Sequence, residues 1–482
     1  MIDILEPRKL WGYFKEISNI PRASKKEEAI SQFIYDFGNS LGLETIQDNL
    51  GNVLIKKPAT VGKENYPIIT LQGHLDMVHQ KEPNFDFDFS SRGIELLVED
   101  DWITANRTTL GADNGIGVAS IMAVLSSEEI DHPPLEAIFT IDEEMGMTGA
   151  MGLSDSILKG SVLLNLDSEE DNVLCIGCAG GVDVLTEGVY EEVIPPKEQQ
   201  FFQVKISGLS GGHSGVDIHL NHANAILVTA ELLFSISKKI NFQLGSIKAG
   251  DLTNVIPTNC LSIISIPKEQ KDLFYKLIEI ENAKFKYRFK NTDSKLKIEI
   301  NSIDALEKVI NESSKDSFIK GVLELPNGVL KWTPGLDNLV QTSNNIARVQ
   351  FANGVLELCS HARSSIDSER DAIITTINSI FPDYKTTGIG PYPGWKPKPD
   401  SRILDVAKKC YIAQNNSEPI VNSIHAGLEC GIIFEKYPNM QMISFGPNIF
   451  YAHTPKEKVQ ISSTKKFWSL LVSILESVEI TE

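Results

Sequence analysis

Apolar residues recur along this chain at two intervals, one helical and one of strand length. Ile30, Phe33, Ile34, Phe37 and Leu41 fall at helical spacing and stop at Gly42. Ser24-Lys25-Lys26-Glu27 precedes them with the spacing of a capping box, so the pattern predicts an amphipathic helix opening there. Short apolar runs at 52–55, 67–71, 135–141 and 162–166 have strand length, and a helical stretch from about Gly115 to Leu125 lies among them. Strands alternating with helices predict an α/β fold: a mixed, largely parallel sheet flanked by helices.

Beyond about residue 187 the pattern restarts. Strands are expected at 201–206, 259–266 and 295–300, with helices at 224–237 and 368–380. Asn353-Gly354 has the residues a two-residue hairpin turn demands, between apolar runs at 346–351 and 355–360. This block reads as an inserted α+β domain spanning 188–387. The Gly- and Pro-rich stretch 388–399 reads as a linker, after which a helix at 401–415 and a strand at 440–445 resume the first pattern. The expected layout is therefore a discontinuous first domain, 1–187 with 388–482, interrupted by the insert.

The 482 residues exceed what one ordinary core holds, and 42% hydrophobic with 23% charged residues is a globular composition. A formal net charge of −19 disfavours nucleic acid as a partner. Asp3, Glu6, Arg8 and Lys9 occupy the place where an export signal needs an apolar run, and no apolar stretch is long enough to span a membrane, so a cytoplasmic location is expected. The six cysteines then read as buried small hydrophobes. Cys175 and Cys178 have zinc-finger spacing but lack a second pair, and Cys-Ile-Gly-Cys-Ala-Gly-Gly reads as a tight turn.

Five polar segments adjoin the predicted strands and helices of the first block: Gly73-His74-Leu75-Asp76, Gly111-Ala112-Asp113-Asn114-Gly115, Asp142-Glu143-Glu144, Asn165-Leu166-Asp167-Ser168 and Ala452-His453-Thr454-Pro455. Ligands of open α/β sheets bind outside the carboxyl ends of the strands, so these segments should converge on one rim. Singly, each is an ordinary loop or cap. Together, two imidazoles, a shared aspartate and two further carboxylates suit a pair of divalent ions. One carboxylate of the adjacent pair Glu143 and Glu144 is then left to move the proton that hydrolysis requires. Gly211-Gly212-His213-Ser214-Gly215 lacks the lysine of a phosphate loop.

GHLDMV, GADNGIG, DEEMGMTGA, NLDSEE, GGHSGVDIH, HAGLECG and AHTPKEKV resemble the aminoacyl-histidine dipeptidases, also called Xaa-His dipeptidases or peptidase D, of the di-zinc aminoacylase and carboxypeptidase superfamily. The resemblance runs over essentially the whole chain. It implies a catalytic domain like those of zinc exopeptidases with a lid and dimerisation insert, two Zn2+ per subunit (replaceable by Mn2+ or Co2+), and a homodimer acting on dipeptides. His74, Asp113 and Asp167 would hold one zinc; Asp113, Glu144 and His453 would hold the other. Glu143 would be the general base for a zinc-activated water. Asp76 would orient the His74 imidazole, and the Asp113-Asn114 peptide would be cis. His213, assisted by Asn254, would steady the oxyanion, in relatives often from a second subunit. Arg363 would pair with the peptide carboxylate, with a surface salt bridge as the rival reading, and His425 and Gly427 would line the substrate pocket. Asn221-His222 departs from the family pattern beside His219, and His79, His132 and His361 receive no task.

Hydrolysis of Xaa-His and related dipeptides, β-Ala-His included, is the function this implies. A tripeptidase or N-acyl-amino-acid deacylase of the same superfamily would use the same metals. A non-catalytic binding protein should have lost one of His74, Asp113, Glu143, Glu144, Asp167 or His453, and all six stand.

Overall fold

The computed structural model describes residues 2–334 and 338–478. Contacts divide the chain into two compact units, Met1–Cys178 with Trp395–Ser423 and Leu428–Glu482, and Ala179–Gly394 with Ile424–Gly427.

The first unit is built on an eight-stranded sheet ordered Glu44–Gln47, Val53–Lys57, Leu135–Thr140, Ile69–His74, Val162–Asn165, Gln441–Ser444, Val173–Cys178 and Ile420–Ile424. Leu135–Thr140, Ile69–His74 and Val162–Asn165 are buried at every position, as strands covered on both faces must be. Parallel pairing joins these three and Gln441–Ser444, whereas the strands on the Val53–Lys57 side and Val173–Cys178 run antiparallel, so the sheet is mixed with a parallel centre. Helix Ala112–Leu125 is apolar all round and buried save for Asp113. It shares a core with Leu10, Trp11, Phe14 and Ile17 of helix Arg8–Ser18 and with the sheet. A small antiparallel sheet, Ile449–Phe450, Lys458–Gln460, Trp102–Ala105 and Leu96–Glu99, frames the loop that carries His453.

The second unit is a nine-stranded antiparallel sheet, its main path ordered Lys297–Ile303, Gln199–Ser207, Cys260–Pro267, Gln243–Ala249, Val340–Ala352, Val355–Ser364, Gly180–Val189 and Lys385–Tyr392, with Gly328–Trp332 also pairing Val340–Ala352. Helices Ala225–Ser237, Lys271–Arg288, Glu312–Glu324 and Asp367–Ile380 contribute to its core. Ala352 pairs with Val355 across the two-residue turn, where Asn353 and Gly354 both take positive φ, 55° and 76°.

Four local expectations are corrected. Residues 385–392 are a strand rather than part of a linker, because Lys385 to Ile389 pair with Glu187 to Asp183. The strand Gly180–Val189 pairs over its whole length with Val355–Ser364, which sets the division of the chain at 178/179 rather than 187/188. Cys175 and Cys178 lie in the strand Val173–Cys178, not in a turn, and both thiols are buried. The capping box does not form: the Ser24 hydroxyl donates to Asp76 Oδ2 at 2.8 Å and helix Glu28–Ser40 begins without a side-chain cap.

Candidate metal centre

Parallel register determines where the polar segments emerge. His74 pairs with Thr140 and Gln72 with Asn165, so His74, the Asp142-Glu143-Glu144 turn and Asp167 all leave the sheet at its carboxyl edge. Asp113 enters from the first turn of helix Ala112–Leu125, just before a cis Asp113-Asn114 peptide, and His453 from the loop between Ile449–Phe450 and Lys458–Gln460.

These five side chains meet. His74 Nε2 lies 3.0 Å from Asp113 Oδ1 and 3.3 Å from Asp167 Oδ1; His453 Nε2 lies 3.2 Å from Asp113 Oδ2 and 3.0 Å from Glu144 Oε2. The two oxygens of Asp113 thus face two imidazoles, each with a second carboxylate beyond it. His74 Nδ1 faces Asp76, 3.2 Å from its carbonyl oxygen and 3.3 Å from Oδ1. Neither oxygen donates, so Nδ1 carries a hydrogen and Nε2 is the ring nitrogen turned toward Asp113 and Asp167. Nε2 and carboxylates stand that close only with positive charge among them, a proton or a metal cation.

The titration of these groups reflects the same crowding. Burial pushes the His74 pKa down, but Asp167, Asp113 and Asp76 together hold it well above the ordinary value. Bonds to Asp113 and Glu144 carry His453 up to about 11 against its burial. Burial, opposed by the charge of His74 at 3.3 Å, leaves Asp167 raised to about 6. Glu143 is raised well above the glutamate range by burial and by the charges of Asp167, Glu144 and Glu429, with His74 opposing. Asp113 is lowered despite burial, through its bonds to His453 and His74.

The donor set fits divalent metal. One ligand atom from each of His74, Asp113 and Glu144 lies within 4.8 Å of the others. Glu144 Oε1 and Asp167 Oδ1 are buried without a hydrogen-bond partner, which is costly for a carboxylate unless a cation takes the oxygen. A second acidic group, Glu27, Asp76 and Asp142, is equally close but differently supplied. Lys25 pairs with Asp142, the Asp142 N–H donates to Glu27 at 3.1 Å, and the Glu143 and Glu144 N–H groups donate to Asp76 at 3.0 and 3.2 Å. That cluster holds the backbone of the Asp142-Glu143-Glu144 turn.

The remaining site residues lie in the second unit. His213 Nδ1 accepts from the N–H groups of Gly215 and Val216 at 3.2 and 3.0 Å, so its hydrogen sits on Nε2. Burial, then Arg363, lowers its pKa to about 4, leaving a neutral donor at pH 7. Arg363 is buried, donates from Nη1 to the Tyr392 hydroxyl at 2.8 Å and has its Nε without a partner; a surface salt bridge is thereby excluded. His425 meets the Ser343 hydroxyl at 2.7 Å through Nε2. Gly215 brings the three together: a Cβ there would lie 2.1 Å from the His425 carbonyl oxygen and 3.1 Å from both Arg363 Nε and His213 Cε1. Asn254 is exposed, with its carbonyl accepting from Ser214 N, and Gly427 is half-buried in the segment Ile424–Gly427. Of the unassigned histidines, His361 pairs with Asp183 and His132 is buried against the Pro133 carbonyl.

Four buried or half-buried groups escaped sequence reasoning. Glu169 and Glu429 are each raised to about 8, chiefly by burial. Glu429 accepts from Gln72 Nε2 at 2.7 Å and the Thr140 hydroxyl at 2.6 Å beneath the His74 and Glu143 strands. Arg22 and Glu457 bind only backbone at this edge. Glu169, Glu429 and Glu457 sit inside the quoted motifs, which was the available signal.

An α/β unit whose parallel strands, one helix start and one loop deliver two histidines and three carboxylates around buried, unsatisfied carboxylate oxygens defines a metallohydrolase centre. A family model described as Peptidase family M20/M25/M40 matches residues 70–477, and the chain belongs to this family of metallopeptidases, hydrolases of peptide bonds. It is 35% identical over 476 residues to the cytosol non-specific dipeptidase of Escherichia coli (strain K12), covering 98% of each chain. The crystal structure of aminoacylhistidine dipeptidase from Vibrio alginolyticus superposes with a TM-score of 0.94 at 37% identity, over 100% of this chain and 99% of that one. Aminopeptidase PepT of Bacillus cereus, at 17% identity, a TM-score of 0.56 and 98% coverage of both chains, shares the fold.

Proposed function

We propose that this chain is a dipeptidase with two divalent ions per subunit, zinc by the His and carboxylate donor set, and that Xaa-His dipeptides are among its substrates. His74, Asp113 and Asp167 would hold one ion; Asp113, Glu144 and His453 the other. The opposed presentation of the two Asp113 oxygens, at 3.0 Å from His74 and 3.2 Å from His453, carries this reading. When bound, such ions supply a Lewis acid for the scissile carbonyl and make water acidic enough to ionise near neutral pH.

The chain's own residues do the rest. Glu143, whose carboxyl favours the protonated form more than an ordinary glutamate does, takes the proton of the attacking water and passes it to the leaving nitrogen. Asp76 fixes the His74 tautomer and, through the Glu143 and Glu144 N–H groups, the position of both glutamates. His213 offers a neutral Nε2–H suited to an oxyanion, with Asn254 beside it. Arg363, with an unused buried Nε, suits a peptide's free carboxylate, and His425 and Gly427 belong to the same neighbourhood through Gly215.

A cytoplasmic location and a homodimer complete the proposal. Among the described residues no helix is long and apolar enough to cross a membrane, and the Escherichia coli relative bears the word cytosol in its name. The deciding experiment combines metal analysis with a panel of Gly-His, β-Ala-His, other dipeptides, Ala-Ala-Ala and N-acetyl amino acids, before and after chelation. Dipeptide hydrolysis lost on chelation and restored by Zn2+ is expected. Preference for Ala-Ala-Ala or for N-acetyl amino acids would replace the dipeptidase reading with a tripeptidase or a deacylase.

A further inference from the structure

Glu457 stands four residues beyond His453, and its carboxylate is 2% exposed. It accepts four successive backbone N–H groups: Leu110 and Gly111 on Oε2 at 2.7 and 3.0 Å, Ala112 and Asp113 on Oε1 at 2.7 and 3.3 Å. Such N–H groups at a helix start have no carbonyl partner within the helix, and a negative charge there also meets the positive end of the helix dipole. One side chain thus ties the loop of His453 to the backbone of Asp113.

Arg22 makes the complementary tie. Its guanidinium is 3% exposed; Nη1 donates to the carbonyls of Leu75 and Asp76 at 3.0 and 3.1 Å, and Nη2 donates to the carbonyl of Gly111. The segment after His74 is thereby joined to the segment before Asp113. Two glycines of the GADNG motif exist to admit this group. A Cβ on Gly111 would lie 2.5 Å from Arg22 Nη2, and one on Gly115 would lie 2.7 Å from it.

We propose that Arg22 and Glu457 are positioning residues, a clamp that fixes Asp113 between His74 and His453 before any cation arrives and so sets the affinity of the centre for divalent ions. The proposal rests on the assignment of His74, Asp113, Glu144, Asp167 and His453 as ligands. The clamp's effect is preorganisation: a cation meets a bridging carboxylate already held, and the binding energy is not diverted into ordering three loops. A carboxylate that merely capped a helix would affect stability and leave the affinity of the folded protein alone.

The test titrates cation-free full-length protein with Zn2+ against a competing chromogenic chelator, for wild type, Glu457→Gln, Glu457→Asp and Arg22→Lys, with urea unfolding of each cation-free protein in parallel. Glu457→Gln keeps one acceptor oxygen and turns an NH2 toward two N–H groups, so its Zn2+ affinity should fall about 10–100-fold, the range typical for partners behind metal ligands. At saturating Zn2+ its kcat should return to within a few-fold of wild type with KM unchanged. Glu457→Asp, which retains the charge about 1.5 Å further back, should recover part of the loss. Arg22→Lys, whose single ammonium cannot span three carbonyls, should lose about 10-fold. Folded variants with wild-type affinity and only lowered cation-free stability would overturn the clamp while leaving the metal centre standing. Wild type that takes up no ion would overturn both. Should Glu457→Gln not fold, Glu457→Asp and Arg22→Lys decide by the same titration.

Discussion

Replacing Gly117 by alanine sets a general preference against a local contact. In the interior of a helix alanine is better than glycine by about 1 kcal/mol, and Gly117 lies inside Ala112–Leu125. A Cβ there, however, would stand 2.5 Å from the Leu166 carbonyl oxygen and 2.5 Å from Asn114 Oδ1. Real Cβ contacts stay above 3.0 Å, so helix and strand end must part by at least 0.5 Å. The same Cβ would also lie 2.9 Å from Asn114 Cγ, so the amide, whose Nδ2 donates to that Leu166 oxygen at 2.6 Å, must turn away and give up the bond. Overpacking costs about 1–3 kcal/mol and a lost buried hydrogen bond about 1 kcal/mol. After the gain in propensity, the expected net loss is about 1–3 kcal/mol. Asp113 and Asp167 flank the moved contact, and both face His74, so Zn2+ affinity should fall as well. Urea unfolding of the cation-free protein measures the first effect and chelator competition the second. Gly12→Ala is the control: Gly12 lies in helix Arg8–Ser18 with nothing within 4 Å of its Cβ position, so that variant should be stabilised by up to about 1 kcal/mol. Gly117→Ala as stable as wild type, alongside a stabilised Gly12→Ala, would refute the reasoning.

Glu143→Gln should keep wild-type Zn2+ stoichiometry and lose about 10²–10⁴-fold in kcat; stopped assays with Gly-His check this, and full turnover would remove Glu143 from proton transfer. Arg363→Lys loses the planar fork and the bond to Tyr392, so KM for dipeptides should rise about 10-fold or more with kcat little changed; an unchanged KM would remove Arg363 from carboxylate recognition. His425 is lowered to about 3 by burial and then by the charge of Arg363, against about 6.5 in the unfolded chain. Between these values the unfolded state binds the extra proton, so stability falls as pH drops through this window, by about 1.4 kcal/mol per pH unit. In His425→Gln that slope should be absent from the difference in unfolding free energy between pH 6 and pH 4; parallel pH profiles for the two proteins would contradict the assignment.

The parallel centre of the first sheet was legible because strands buried on both faces are predominantly apolar, as 135–140 and 162–165 are apart from Glu136, Thr140 and Asn165. The turn at Asn353-Gly354 was legible because both residues had to accept positive φ. His74, Asp113, Asp167, His453 and the pair Glu143 and Glu144 were legible as a candidate set, since few chemistries bring two imidazoles and several acids to the ends of strands; which glutamate meets His453 was not, because adjacent residues of one type leave the choice to the turn. Arg22 and Glu457 were not, because their partners are backbone groups up to 347 residues away and leave no mark on residue type. Ser24 shows the converse failure: its local spacing satisfied the capping box, yet the buried Asp76 carboxylate is the stronger acceptor and takes the hydroxyl. The strand at 385–392 was hidden by Gly388, Gly390 and Pro391, which signal turns in isolation but here lie on an exposed sheet edge where a missing side chain or N–H costs little.

Asp113 and His453, which face each other at 3.2 Å, are separated by 340 positions in the chain. During synthesis 340 residues must therefore follow Asp113 before the proposed site has its His453, and a chain stopped short of residue 453 carries the proposed ligand set incomplete.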